Sequence, residues 1–236
     1  MLELKDISKK IGDFNLERVS FKVDKGNYFC LLGRSGAGKS MILEMIAGLK
    51  SPDKGSILLN GKELIGLPIH DRGIGLLFQE GLVFPHMTVR QNLGYALKSG
   101  KLDRAVQHSR IEKWAEVVGL AALLDRKPSG LSGGELKRVA LARVLAMEPE
   151  VVLLDEPLSS LDSVLQSEMR CLLKKLNREG QTFLHVTHDF YEAYSLASEV
   201  AVLLDGRLVQ KGTPKEVLKN PVNDFVRHLT GVRDYE

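Results

Sequence analysis

Eight consecutive residues, Gly33-Arg34-Ser35-Gly36-Ala37-Gly38-Lys39-Ser40, carry the strongest chemical signal in this sequence. They fit the spacing G-x-x-x-x-G-K-[S/T], in which a glycine-rich loop wraps phosphates. Gly33, Gly36 and Gly38 allow backbone N–H groups to turn inward around phosphate oxygens, and a helix starting there adds its dipole. Lys39 would reach the β and γ phosphates, and the Ser40 hydroxyl would ligate Mg²⁺. The alternative is a glycine-rich turn with an incidental lysine. It does not explain why the octapeptide lies between an apolar strand pattern, YFCLL at 28–32, and a helical pattern of Met41, Ile42, Met45 and Ile46. The expected ligand is a nucleoside triphosphate.

VVLLDE at 151–156 supplies the second half of such a site. Asp155, at the end of an apolar strand, is placed to hold Mg²⁺ through water. The neighbouring Glu156 can orient an attacking water and accept its proton. An apolar run followed by two acids is often only a strand end, so the reading depends on the phosphate loop being present.

Both motifs have to be held at strand ends, and the flanking pattern provides the strands. The first 27 residues alternate with period two (Leu2, Leu4; Val19, Phe21, Val23) and break at turn signals, which predicts antiparallel strands. SILLNGKEL at 56–64 contains Asn60-Gly61, a hairpin signal, and GIGLLFQ at 73–79 reads as a further strand ending in Gln79. From about Gly81 to Met147 the periodicity is helical, with Ile111, Ala115 and Val118 around Trp114. Strands at 151–155, 182–188 and 199–206, with a helix at about 163–179, then imply a mostly parallel sheet, followed by a tail of short helices.

The 236 residues are 44% hydrophobic and 27% charged, enough for one large domain or two small ones. Disulfide-stapled, disordered and coiled-coil classes are excluded. Net charge is +3 from 33 basic and 30 acidic residues, too balanced for nucleic acid to be the main partner. The longest apolar runs are a few residues, against the ~20 that a membrane helix needs. The alternating start, MLELKDISKK, lacks the pattern of a signal peptide, so a cytoplasmic location is expected. Cys30 and Cys171 read as small core residues. The basic residues Lys98, Lys101, Arg104, Arg110 and Lys113, opposed only by Asp103 and Glu112, read as a solvated helix face.

LSGGE at 131–135 adds a third motif. Ser132 and Glu135 are spaced as a capping box before a helix running to Met147. With the phosphate loop, VVLLDEP, SSLD and VTHD, it makes the chain resemble the ATP-binding cassette (ABC) ATPases over nearly its whole length. The resemblance implies an α/β fold: a P-loop NTPase core with a mostly parallel sheet, an N-terminal antiparallel β subdomain and a helical insertion. One domain spans 1–236, with the core and β subdomain in 1–79 and 148–236 and the helical subdomain in 80–147. It implies ATP and Mg²⁺ as ligands. It also implies a head-to-tail homodimer sandwiching two ATP, in which Ser132, Gly133 and Gly134 face the γ-phosphate held by the other subunit. Gln79 resembles the glutamine that senses Mg²⁺ and attacking water, His188 the switch histidine on the γ-phosphate, and Asp162 the residue that crosses the dimer interface. His185, in the same strand as His188, reads as structural. The family usually stacks adenine on an aromatic residue near Ile11; here the nearest is Phe14, which either stacks on the base or belongs to the core.

LVFPHMTVRQNLGYAL at 82–97 resembles the stretch of importer ATPases that receives a helix of the membrane subunit, which places permease docking at Phe84, Pro85 and Met87 beside Leu82. GDFNL, LLDRKPSGLSGGE and LHVTHDFYEA resemble most the molybdate and tungstate importers. The implied protein is an importer's ATPase subunit, peripheral on the cytoplasmic face of the cell membrane and served indirectly by a substrate-binding protein. The alternative is a soluble cassette ATPase on a cytosolic scaffold, as in iron–sulfur cluster assembly. A tandem-cassette ATPase is disfavoured by the single copy of each motif, and a P-loop kinase leaves LSGGE unexplained.

Overall fold

The computed structural model describes residues 1–99 and 102–231. The chain opens with β1 (Leu2–Ile11), β2 (Phe14–Val23), β3 (Tyr28–Leu32), α1 (Lys39–Ala47), β4 (Lys54–Leu59), β5 (Lys62–Glu63) and β6 (Ile74–Leu77). A helical stretch follows, with α2 (Val89–Gly94), α3 (Arg104–Val117) and α4 (Gly133–Leu145). The remainder is β7 (Val151–Asp155), α5 (Ser163–Arg178), β8 (Thr182–Thr187), α6 (Phe190–Leu196), β9 (Glu199–Leu204), β10 (Arg207–Gly212), α7 (Pro214–Lys219) and α8 (Asp224–Leu229). Among the described residues between Leu77 and Val151 there is no strand.

Two sheets form. One is antiparallel, in the order β2-β1-β4-β5, and the other has the order β10-β9-β3-β8-β7-β6. In the second, β9, β3, β8, β7 and β6 run parallel and only β10 is antiparallel. β3 is buried along its whole length because strands flank it on both sides and layers cover both faces, so its sequence is continuously apolar. Its alternate residues serve two cores. Tyr28, Cys30 and Leu32 face the helical side, whereas Phe29 and Leu31 join the core under α1 and the antiparallel sheet. Phe29 stacks there on Phe21 of β2, with ring centroids 5.1 Å apart. The hairpin at Asn60 and Gly61 has φ of +51° and +81°, the left-handed pair that a tight hairpin demands.

Four sequence expectations need correction. β6 ends at Leu77, so Gln79 lies in an exposed turn beyond the strand instead of closing it. α4 ends at Leu145, two residues short of Met147. β10 was not anticipated: its pairing to β9 follows a turn with Asp205 and Gly206 both at positive φ, and only the Asp-Gly pair signals it. Cys171 is exposed, unlike the buried Cys30. The core stripe of α5 is Met169, Leu173 and Leu176, and a helical position two residues from Met169 and two from Leu173 points away from it. In the basic segment, Arg110 and Lys113 of α3 both pair with Glu148, tying the helix to the turn after α4. Lys101 and the side chain of Lys98 lie outside the described residues.

Candidate nucleotide and hydrolysis site

Parallel strands deliver their C-terminal ends to one edge of a sheet, and here four of them do so with chemistry attached. β3 runs into the phosphate loop, β7 ends at Asp155 before Glu156, β8 ends at Thr187 before His188, and β6 leads to Gln79. Their registers, Leu32 to Thr187, Asp155 to Val186 and Leu77 to Leu154, put the four ends level.

The loop is shaped by close approach. A Cβ on Gly33 would lie 2.4 Å from the Leu203 carbonyl oxygen of β9, so only glycine lets the loop leave the sheet there. Gly33→Ala is expected to cost about 2 kcal/mol and lower the thermal midpoint by about 4–8 °C, read by calorimetry; an unchanged midpoint would show that the loop can shift freely. Gly38 takes φ of +103° as the N-cap of α1 and lies under the ring of Phe14. Lys39 is 5% exposed, and its ammonium donates back to the carbonyl oxygens of Gly33 and Arg34 at 2.8 and 2.9 Å. Burial lowers its pKa, opposed by the carboxylates of Glu156 and Asp155. A cation held within a glycine-rich loop at the start of a helix suits a polyphosphate. Arg34, Ser35 and Gly36 are exposed at the loop's tip, and Ala37 is buried beneath it.

The Ser40 hydroxyl donates to Asp155 Oδ1 at 3.0 Å, joining hard oxygen donors from the start of α1 and the end of β7. Burial raises the Asp155 pKa, a cost that a divalent cation beside Ser40 and Asp155 would relieve. Among the described residues no cluster of three or more His, Cys, Asp or Glu could hold a metal. Two protein oxygens complemented by phosphate and water match the way Mg²⁺ is usually bound. Glu156 sits at φ +43°, an unfavourable backbone for a non-glycine residue, and its N–H donates to the Val186 carbonyl at 2.9 Å. Its Oε1 is 3.1 Å from His188 Nδ1. His188 is largely exposed, whereas His185 is wholly buried with its Nδ1 3.0 Å from the Tyr28 hydroxyl. One cleft is lined by Phe14, Gly38, Lys39, Ser40, Gln79 and Glu156. Phe14 borders this cleft and also packs, half-buried, on the β-side core.

The remaining sequence-marked residues stand apart. Ser132 caps α4 with the complete capping box: its Oγ accepts from the Glu135 N–H, and Glu135 Oε2 accepts from the Ser132 N–H at 2.7 Å. Ser132 and Gly133 are exposed, but Gly134 is buried, and a Cβ there would lie 2.7 Å from Leu165. Asp162 caps α5 by accepting from the N–H groups of Val164 and Leu165 at 3.0 and 2.9 Å. Leu82 and Pro85 are exposed, and Phe84 and Met87 half-buried, on the segment after Gln79. Sequence reading missed Lys137 of α4, whose ammonium donates to the Gln79 carbonyl at 2.7 Å. The available signal was a lysine within the helix's apolar stripe, three residues after Gly134 and three before Ala140.

A glycine loop between strand and helix, with a serine and two carboxylates at the adjoining strand end, defines a nucleoside triphosphatase. The family model described as "ABC transporter" matches residues 16–159. The chain is 44% identical over 232 residues to a molybdate/tungstate import ATP-binding protein of Thermococcus kodakarensis, covering 98% of this chain and 70% of the relative. It is 40% identical to a probable sulfate/thiosulfate import ATP-binding protein of Chlorella vulgaris, covering 98% of each. A spermidine/putrescine import ATP-binding protein of Thermotoga maritima is 42% identical over 98% of this chain and 63% of its own length. The chain belongs to the ABC transporter family, and it is an ATPase.

Proposed function

We propose that this chain is the ATP-hydrolysing subunit of an importer that carries an oxyanion such as molybdate or tungstate, and that it works as a homodimer on membrane partners. The observation that supports it most is the convergence of Lys39, Ser40, Asp155, Glu156, His188 and Gln79 at one sheet edge. The importer reading rests on the relatives' names, several of which specify oxyanions. No helix among the described residues is long and apolar enough to cross a membrane, so association with the bilayer would run through permease subunits, and contact with a substrate-binding protein through them in turn.

In the proposed site, Lys39 and the loop N–H groups bind the phosphates, and Phe14 offers a ring face to the base. Ser40 and Asp155 would hold Mg²⁺, with Gln79 nearby; when bound, the ion neutralises charge on the phosphate oxygens. Glu156 aligns the attacking water and takes its proton. His188, which already reaches Glu156, steadies that carboxylate and would face the γ-phosphate. The helical segment 80–147 would move as one subdomain against the core formed by 1–79 and 148–236.

Each ATP would be completed by Ser132 and Gly133 of the second copy, with Asp162 near the join. Glu156→Gln protein should therefore double its mass with ATP and return to a monomer with ADP, measured by light scattering. Adding Ser132→Arg should prevent the doubling, because a guanidinium occupies the exposed start of α4. A single mass in every condition would contradict the sandwich. The transport assignment is tested by uptake of tungstate in cells lacking this chain: restoration by the wild-type chain but not by Glu156→Gln is expected, and uptake unaffected by the deletion would refute it.

A further inference from the structure

α4 carries two cations, one buried and one half-buried, and both grip the same loop. Lys137 is 5% exposed, and among the described residues its ammonium donates to the carbonyl of Gln79, at 2.7 Å. Its aliphatic stem lies along Gly81, where an added Cβ would come within 3.3 Å of Lys137 Cδ and where φ is +56°. Six residues further on, Arg143 donates to the Leu82 carbonyl at 2.7 Å and lays its guanidinium over Phe84, 5.1 Å from the ring centroid. Burial lowers the pKa of both groups; at Lys137 it is opposed by the carboxylates of Glu156 and Glu192.

These contacts are unusual for a loop. Gln79 and Glu80 are exposed, and β6 has already ended at Leu77, so sheet hydrogen bonds do not fix where the Gln79 side chain goes. A buried ammonium held on a carbonyl is costly to maintain unless that carbonyl must stay in place. The same helix begins at Ser132 and Gly133, so the loop's position and that of the exposed helix start are set by one rigid element.

We propose that Lys137 is a positioning residue for ATP hydrolysis: through the Gln79 carbonyl it holds the glutamine loop where the Gln79 side chain meets the site of Ser40 and Glu156, with Arg143 anchoring the far end of the loop. The inference rests on the proposed role of Gln79. It adds that the loop is placed by α4 and not by the sheet.

The test compares Lys137→Met, which keeps the stem and removes the donor, with Lys137→Arg, which keeps a donor. For Lys137→Met, kcat for ATP should fall at least tenfold while KM and the affinity for a fluorescent ATP analogue stay within threefold; Lys137→Arg should recover much of the rate. In a Gln79→Ala background, Lys137→Met should add less than a twofold further loss, because it acts through that side chain. An unchanged kcat in Lys137→Met, an equal loss of affinity and rate, or full multiplication of the two losses would each overturn the proposal. Should the Met variant not fold, Lys137→Leu, which fills part of the volume without a donor, reads the same split. If Gln79→Ala alone keeps the wild-type rate, the reading of Gln79 fails; if it loses rate while Lys137→Met does not, only the present inference fails.

Discussion

Glu156→Gln should leave ATP bound and nearly abolish turnover, whereas Lys39→Ala should lose the nucleotide first. The amide keeps the size of Glu156 and its place at the end of β7, where its N–H is fixed to Val186. It cannot accept the proton of an attacking water, and removing a general base typically costs about 10²- to 10⁴-fold in kcat. Lys39 differs in kind. Its ammonium sits over the loop, donating to the Gly33 and Arg34 carbonyls, and would exchange those acceptors for phosphate oxygens already present in the ground state. A charge-assisted hydrogen bond of about 1.5–3 kcal/mol predicts roughly 10- to 100-fold weaker binding for Lys39→Ala. Calorimetric titration with ATP and a steady-state phosphate assay on both variants give the comparison. Similar losses of affinity in both would place Glu156 among the binding groups, and undiminished turnover in Glu156→Gln would move the base elsewhere.

The residues that divide these roles were readable from sequence because each depends on local spacing. A phosphate loop is one turn between one strand and one helix, and Ser132 and Glu135 satisfy each other three residues apart. Lys137 was not legible in that way. Its partner is 58 residues away, and a lysine on an apolar stripe looks like a helix error until the Gln79 carbonyl is seen above it. Arg72 gives the same lesson: it is buried to cap α1, donating to the Met45 and Ile46 carbonyls at 3.1 Å, and nothing near it in the chain announces that partner. Gly134 shows the converse. The motif marks it as an anion-facing residue, and its lack of a side chain also serves close packing against Leu165 of α5. Cys171 was misplaced because apolar character alone does not fix which face of an amphipathic helix a residue takes.

Phe84→Asp should separate hydrolysis from membrane attachment. The backbone around Phe84 does not depend on its ring: wholly buried Asn92 accepts from the Phe84 N–H at 2.8 Å and donates to the carbonyls of Phe84, Met87 and Thr88. The ring itself is half-buried, 4.4 Å from Tyr95 and under the guanidinium of Arg143. An aspartate there gains a cation in place of a ring face, so the loss of stability should be modest, about 1 kcal/mol. Lys137 and the Arg143 bond to the Leu82 carbonyl remain, so Gln79 stays where it was. Basal hydrolysis by the isolated chain should accordingly stay within about twofold. An apolar surface formed by Leu82, Phe84, Pro85 and Met87 would instead acquire a carboxylate, and taking it out of water against a membrane subunit is costly even beside Arg143. The same variant should therefore vanish from the membrane fraction and lose transport, measured by co-sedimentation beside the ATPase rate. Unchanged membrane binding would remove Phe84 from the docking surface. Loss of basal hydrolysis in a folded variant would return the segment to the core, and a wild-type chain that never sediments with membranes would favour a cytosolic scaffold as its partner.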